Sequence, residues 1–129
     1  MCAPIEAEIM SMDSVEDQAA FLEELGLKTS ARSRFIKAAY QLLDLVSFLT
    51  VGEDEVRAWT VRRNSGAKTA AGKIHSDLER GFIRAEIMTS TDLLEHGSET
   101  KVKESGKFRV EGKEYIVQDG DIMHVRHSS

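Results

Sequence analysis

The sequence predicts an α+β fold in which a helical segment precedes a domain built on a mixed β-sheet. Through most of the first 50 positions apolar residues recur at helical spacing, whereas after Gly81 they alternate with polar residues, which is the period of a half-buried strand. With 41% apolar residues among 129, the chain can build a modest core. We therefore divide it into a helical segment, residues 1–50, and a sheet domain, residues 51–129.

The first 50 residues predict three helices. Pro4 suits the first turn of one helix. Ser14 and Asp17 form a capping pattern for a second helix, which Gly26 ends. A third helix is predicted over residues 33–49, and its apolar surface is so wide that we expect either a missing domain or the sheet to cover it. That surface comprises Phe35, Ala39, Leu42, Val46 and Leu49, with Ile36, Tyr40 and Leu43 beside them.

A helix followed directly by a strand is the clearest local pattern of the sheet domain. Residues 70–78 have apolar positions at helical spacing, and Gly81 supplies the chain reversal after them. The strand that follows alternates Ile83, Ala85 and Ile87 with charged residues.

The other elements of the sheet domain predict strands that pair around this helix. Residues 56–63 form the first predicted strand, with Trp59 and Val61 on one face. Helices are predicted over 92–97 and 99–106, and strands over 107–110, 114–117 and 122–127. Because these strands must pair across the sequence around a helix, a mixed β-grasp sheet fits better than a simple meander.

Charge is distributed unevenly along the chain, whose net charge is −5. Residues 1–56 carry −7 and residues 85–129 carry −3, whereas residues 57–84 carry +5. We expect this central segment to form an electropositive patch that attracts RNA phosphates. Its cations are Arg57, Arg62, Arg63, Lys68, Lys73, Arg80 and Arg84.

Two other interpretations of these cations stay open: that they are ordinary solvated charges, and that they contact protein in place of RNA. They could be ordinary solvated charges, some of them paired with Asp77, Glu79 or Glu86. The segment also lacks the aromatic pairs of a base-stacking platform, which favours recognition of phosphates and shape in structured RNA, or contacts with protein.

The sequence offers no constellation of catalytic or metal-binding residues. His75 and Asp77 are two positions apart, so on a continuous helix they would point away from each other, and the helical pair His75 and Glu79 has no third ligand assigned to it. The other histidines are scattered, and no serine or cysteine has an oriented base. One cysteine and no apolar run of membrane-spanning length indicate a reduced, cytoplasmic setting without membrane contact.

Several motifs together resemble a known family. Ala-Ala-Gly-Lys-Ile-His-Ser-Asp at 70–77, Asp-Leu-Leu-Glu-His-Gly at 92–97 and Gly-Lys-Glu-Tyr-Ile-Val-Gln-Asp-Gly-Asp at 112–121 resemble, in order, the C-terminal region of the YchF-type Obg-like ATPases. The resemblance implies that residues 51–129 form a TGS domain, a ubiquitin-like β-grasp fold. It also implies that residues 1–50 are the remnant of the end of a P-loop G domain, whose missing part is a partner of this segment.

The same resemblance implies that nucleotide binding and ribosome contact lie in different parts of the full-length proteins. ATP or GTP with magnesium would bind elsewhere, because this sequence contains no Gly-x-x-x-x-Gly-Lys-Ser/Thr loop for phosphates. Cys2 and Ala3 would match a loop that touches the nucleotide base, although Pro4 stands where the family usually has lysine. The chain itself is expected to be non-catalytic, to contact the ribosome or RNA and to regulate the parent NTPase. The rival hypothesis is a structural or protein-interaction module without RNA binding.

Overall fold

The computed structural model describes residues 2–129 and divides them into two compact units. The first unit ends at Leu43, and the second unit is Asp44–Ser129. None of the described helices is long and apolar enough to cross a membrane.

Three helices form the first unit: α1 (Ala3–Met10), α2 (Val15–Glu24) and α3 (Ala31–Leu42). Their starts follow local capping chemistry, since the Ser14 hydroxyl accepts a hydrogen bond from the Asp17 N–H at 3.0 Å. The Glu6 carboxylate accepts the Ala31 N–H at 2.9 Å and so links α1 to α3. Among the described residues of this unit, Ile9 and Ala31 are its buried apolar side chains.

The prediction of a single helix over residues 33–49 is wrong beyond Leu42. Asp44 adopts a left-handed conformation with φ of 56°, which ends the helical path, and Leu45–Val51 is a strand. Val46 and Phe48 are buried on one face of that strand, which is the alternation of a sheet. The helical segment therefore stops short of the predicted residue 50.

Five strands form the sheet of the second unit, which confirms the mixed α+β class. They are β1 (Leu45–Val51), β2 (Val56–Arg62), β3 (Phe82–Thr89), β4 (Arg109–Glu111) and β5 (Asp121–His127). The strand order is β2-β1-β5-β3-β4, with β1 parallel to β5 and the other neighbours antiparallel. Four helices accompany the sheet: α4 (Ala67–Ile74), α5 (Ser76–Arg80), α6 (Ser90–His96) and α7 (Glu99–Glu104).

Both faces of the sheet carry apolar clusters. Ala67 and Ala70 of α4 pack with Phe48 and other sheet residues in the larger cluster, which Trp59 borders. Val102 of α7 packs with Met88 and Ile122 on the opposite face. Burying such side chains contributes about 1.5–3 kcal/mol each, so the two clusters hold the second unit together.

Two further expectations about elements need correction. The predicted helix over 70–78 is two helices, because His75 has an extended conformation (φ of −161°) between α4 and α5. Residues 114–117 do not form a strand and contribute one isolated bridge, from Ile116 to Gly66.

A buried carboxylate explains why residues 114–117 are held in an irregular loop. Asp121 is 1% exposed and accepts hydrogen bonds from the Tyr115 hydroxyl (2.8 Å) and the Gln118 N–H (2.9 Å). Burial, followed by the hydrogen bond to Asp121, raises the pKa of Tyr115, while Arg109 donates to the Tyr115 oxygen at 3.1 Å. The loop in turn accepts the Ala67 N–H on the Tyr115 carbonyl, which anchors the start of α4.

Candidate basic interface

The pairing register of β1 and β2 determines on which face of the sheet Arg57 and Arg62 lie. Val61 is buried and pairs with Val46, whereas Arg62 pairs with Leu45 one position further on. Since successive residues of a strand face opposite sides, Arg57 lies on the face of Trp59 and Val61 and Arg62 lies on the other face. The two arginines are also separated by about 17 Å along the strand.

The turn between β2 and α4 brings three of the predicted cations close together in the chain. Arg62, Arg63 and Lys68 are exposed, and Asn64 supplies a left-handed residue with φ of 66° between them. Arg63 makes an ion pair with Asp44, with 3.1 Å between Nε and Oδ1. Gly66 permits a close approach, because a Cβ there would lie 2.9 Å from the Lys113 carbonyl oxygen. We call Arg62, Arg63 and Lys68 the basic turn.

The remaining predicted cations lie elsewhere on the second unit. The Arg57 guanidinium stacks 4.3 Å from the centre of the Trp59 ring. Arg80 is 3.5 Å from Asp77, and Lys73 is exposed on the last turn of α4.

Arg84 lies far from the basic turn. It pairs with Arg126 on the face opposite the one that Val61 and Ala85 share. From the register, Arg84 and Arg62 lie near opposite ends of the sheet, about 26 Å apart along the strands. The seven cations are thus divided between two faces and two ends of the sheet and do not form one continuous patch.

His75 is placed differently from its sequence-based interpretation. As the residue before α5 it accepts the Asp77 N–H on Nδ1 at 3.1 Å, and that nitrogen lies 3.5 Å from the Asp77 carboxylate. The expectation that His75 and Asp77 point apart is therefore wrong, because the helix is interrupted between them. The carboxylate of Glu79 packs against Gly72.

A cluster that sequence reasoning missed contains Asp92, Glu95 and His96. Among the residues that the structure describes, it is the only group of acidic, histidine or cysteine side chains close enough to share a metal ion, with ligand atoms within 4.8 Å. The Lys107 ammonium already lies 2.9 Å from Asp92 and 4.0 Å from Glu95. The hydrogen bond from Lys107, followed by that from Thr89, lowers the pKa of Asp92. A cation of the protein itself thus already contacts both carboxylates that a metal ion would need.

Cys2 and Ala3 lie at the start of α1. Cys2 is exposed and precedes the helix without a capping bond from its side chain, and Ala3 is the first helical residue.

Comparisons with known proteins agree on one family. Residues 45–128 match the family YchF-GTPase_C, described as a protein of unknown function (DUF933). The ribosome-binding ATPase YchF of Bacillus subtilis is 53% identical over 98% of this chain and 34% of its own length. Obg-like ATPase 1 of Gallus gallus is 47% identical over 97% of this chain and 31% of its own length.

A solved structure extends the likeness to three dimensions. The YchF GTPase of Schizosaccharomyces pombe superposes with a TM-score of 0.82 at 36% identity, covering 98% of this chain and 33% of that one. The chain therefore spans about a third of the length of the relatives it matches.

Proposed function

Because the chain belongs to the C-terminal family of YchF-type Obg-like ATPases, we propose that it is the non-catalytic C-terminal region of such an NTPase. In this role it contacts the ribosome in the cytoplasm and regulates the parent enzyme. The relatives are named ribosome-binding ATPases, and this chain spans a third of their length.

We assign residues 51–129, together with β1, to a TGS domain of the β-grasp type. The strand order β2-β1-β5-β3-β4 supports this assignment, as does the helical crossover between β2 and β3. The parallel pair β1 and β5 at the centre of the sheet is what a mixed sheet folded around a helix requires.

The helices before β1 represent the end of a G domain in this proposal, and the rest of that domain is their partner. Phe35 is 67% exposed and Leu42 is 87% exposed on α3, so the helix presents apolar surface that a further domain would cover. Cys2 and Ala3 would then lie near a nucleotide base in the full-length protein, which would bind ATP or GTP with magnesium. Titration calorimetry of this chain alone with magnesium nucleotide should show no micromolar binding, because triphosphate affinity depends on a phosphate loop.

Ribosome contact is assigned to the basic turn. Arg62 and Lys68 have no ion pair in the described part of the chain, and Arg63 is half exposed beside Asp44. Three cations within seven residues can neutralise adjacent phosphates, and each neutralised phosphate adds to the salt dependence of binding. The clustering of these three exposed charges at one turn is the observation that carries the assignment.

Reversal of the basic turn tests the assignment. The variant Arg62→Glu, Arg63→Glu, Lys68→Glu should co-sediment with ribosomes much less than the unaltered chain while keeping its fold, because exposed charges contribute little to stability. The matched control is Lys28→Glu, Lys37→Glu, Lys101→Glu, which changes net charge equally at three exposed positions elsewhere. Equal co-sedimentation of the two variants would reject the basic turn as the contact.

A further inference from the structure

The basic turn is held in place by a loop, residues 112–118, that lies far from it in the sequence. The Tyr115 carbonyl accepts the Ala67 N–H at 2.8 Å, and the Ser65 carbonyl accepts the Val117 N–H at 3.0 Å. An isolated β-bridge joins the two segments between these bonds. Because backbone bonds run in both directions between the segments, the conformation of the basic turn depends on this loop.

The loop has its own anchor in the second unit. The buried carboxylate of Asp121 accepts hydrogen bonds from the Tyr115 hydroxyl and the Gln118 N–H. The Tyr115 N–H in turn donates to the Gly112 carbonyl at 3.1 Å. Losing one of these partners would leave a buried polar group unsatisfied, which opposes displacement of the loop. The loop is therefore preorganised, and ordering it costs little when a ligand binds.

The same arrangement brings Lys113 to the basic turn. A Cβ on Gly66 would lie 2.9 Å from the Lys113 carbonyl oxygen, and that oxygen accepts the Lys68 N–H at 3.5 Å. The Lys113 side chain is exposed and has no ion pair within residues 2–129. Its ammonium ends a flexible four-carbon stem, so it can reach a ligand that contacts the basic turn.

Most acidic side chains in or beside the two segments already have partners within the protein. These pairs are Asp44 with Arg63, Glu111 with Arg109, Asp119 with the Ser47 N–H, and Asp121 with Tyr115 and the Gln118 N–H. Glu114 is exposed and has no partner among the described residues. Three cations without an ion pair, Arg62, Lys68 and Lys113, thus face one carboxylate without a partner. Positive charge remains available to a ligand.

The composition of this surface favours phosphate over protein as the ligand. Residues 62–68 and 112–114 include arginine, lysine, asparagine, serine and glycine, and they contain no aromatic or branched apolar residue. Protein interfaces are centred on large side chains that fill pockets. Phosphate groups are instead held by Arg, Lys, Asn and Ser side chains and by backbone N–H groups.

We propose that residues 112–118 complete the ribosome-contacting surface. The loop positions the basic turn and adds Lys113 as a fourth cation, and the four cations together bind phosphates of ribosomal RNA. The proposal rests on ribosome contact through the basic turn, and it adds the loop and the residue that complete this contact.

Removing the charge of Lys113 tests its contact with phosphate. Lys113→Gln should raise the Kd for ribosomes about fivefold. It should also reduce the slope of log K against log salt concentration by about 0.7–0.9, the contribution of one neutralised phosphate. Lys113→Arg keeps the charge and should restore both values. The matched control is Lys101→Gln, which removes an exposed cation of α7 that has no ion pair in the described part of the chain.

A substitution that leaves the charge unchanged tests the positioning role. Gly66→Ala places a Cβ 2.9 Å from the Lys113 carbonyl oxygen, so the loop must move away from the basic turn. We expect it to raise the Kd for ribosomes about fivefold, and Lys113→Gln should then add little, because the two changes disrupt one interaction. Gly52→Ala is the control, since its Cβ would make an ordinary contact of 3.6 Å with the Glu55 carbonyl oxygen. Circular dichroism verifies the fold of each variant, and the Lys113 variants keep the proposal testable if Gly66→Ala misfolds.

Three results would overturn the proposal. Equal affinity of Lys113→Gln and Lys101→Gln would reject the contact of Lys113, and equal affinity of the two glycine variants would reject the positioning role. Weaker binding of Lys113→Gln to ribosomes, with unchanged binding to protein-free ribosomal RNA, would assign the contact to ribosomal protein.

The charge reversal of the basic turn separates failure of the loop from failure of the turn. If that reversal abolishes co-sedimentation while Lys113→Gln has no effect, the loop alone is rejected. If the reversal itself has no effect, the assignment of ribosome contact to the basic turn fails and the role of the loop fails with it.

Discussion

The two units of the chain differ in how far each completes its own core. Among residues 2–129, thirteen of the fifteen buried apolar residues belong to the second unit, whereas seven of the twelve large exposed apolar residues belong to the first, which is a third of the chain. The sheet closes apolar clusters on both faces, while α3 leaves Phe35 and Leu42 in water. Helix propensity and caps specify where helices begin, but stable packing requires surfaces that cover one another. The sheet unit has those surfaces within its own sequence.

Truncating one phenylalanine in each unit tests whether the second unit is the better packed of the two. Phe48 is fully buried, so Phe48→Ala should lower the free energy of unfolding by about 3–5 kcal/mol. Phe35→Ala removes a side chain that is 67% exposed and should change it by less than about 0.5 kcal/mol. Urea unfolding followed by Trp59 fluorescence and by circular dichroism measures both. Similar losses for the two variants would mean that α3 is as well packed as the sheet.

Hydrogen exchange compares the local stability of the two units residue by residue. We expect amides of α1, α2 and α3 to exchange at least about a hundredfold faster than those of β1, β3 and β5, because the helical unit has few buried contacts to resist local opening. Mass spectrometry of exchanging peptides gives the rates, and sedimentation gives the oligomeric state, since Phe35 and Leu42 could also be covered by self-association. Uniform protection of both units in a strict monomer would contradict the expectation.

Most elements of the sheet unit were predictable because their periods are unambiguous. The error at residues 43–49 has a specific cause: Val46 and Leu49 fit the helical stripe of α3, yet Val46 and Phe48 also alternate as a strand requires. The left-handed conformation of Asp44, which decides between the two, carries no strong sequence signal. The break at His75 was equally hidden, because residues on both sides of it have helical spacing.

The candidate site was less predictable than the fold. Charge density along the sequence identified residues 57–84, but it does not say which face of a strand each cation occupies. Trp59 and Val61 were placed on one face correctly, and the same alternation separates Arg57 from Arg62. The cluster of Asp92, Glu95 and His96 has the i, i+3, i+4 spacing of one helix face, a local signal in α6 that could have identified it, whereas its contact with Lys107 joins residues distant in sequence.

The hydrogen-bond network at Asp121 tests how far polar groups contribute to the better-packed unit. Tyr115→Phe removes the hydroxyl that donates to the buried carboxylate and should cost about 1–2 kcal/mol of unfolding free energy. The pKa of Tyr115 is raised in the folded state. The contribution of its neutral hydroxyl to the free energy of unfolding is therefore complete below about pH 10 and is lost as pH rises through the pKa of Tyr115 in the folded protein. The free energy of unfolding of the Tyr115→Phe variant should therefore lack that part of the decline at alkaline pH.

The smallest expected change in stability comes from an ion pair at the surface of the second unit, where Lys107 before β4 contacts Asp92 of α6. The pKa of Asp92 is lowered and that of Lys107 is raised, so the pair stabilises the fold between about pH 4 and pH 10. Its contribution declines as pH falls through the folded pKa of Asp92 or rises through that of Lys107.

Lys107→Met should lower the Tm less than Tyr115→Phe does, and the loss should shrink in 1 M salt because the pair is open to solvent. Lys101→Met, which removes an exposed cation without an ion pair among the described residues, should leave the Tm unchanged. Because methionine keeps an apolar side chain of similar length, the substitution removes the charge more than the packing, and a salt-independent loss for Lys107→Met would contradict the assignment of its effect to the ion pair.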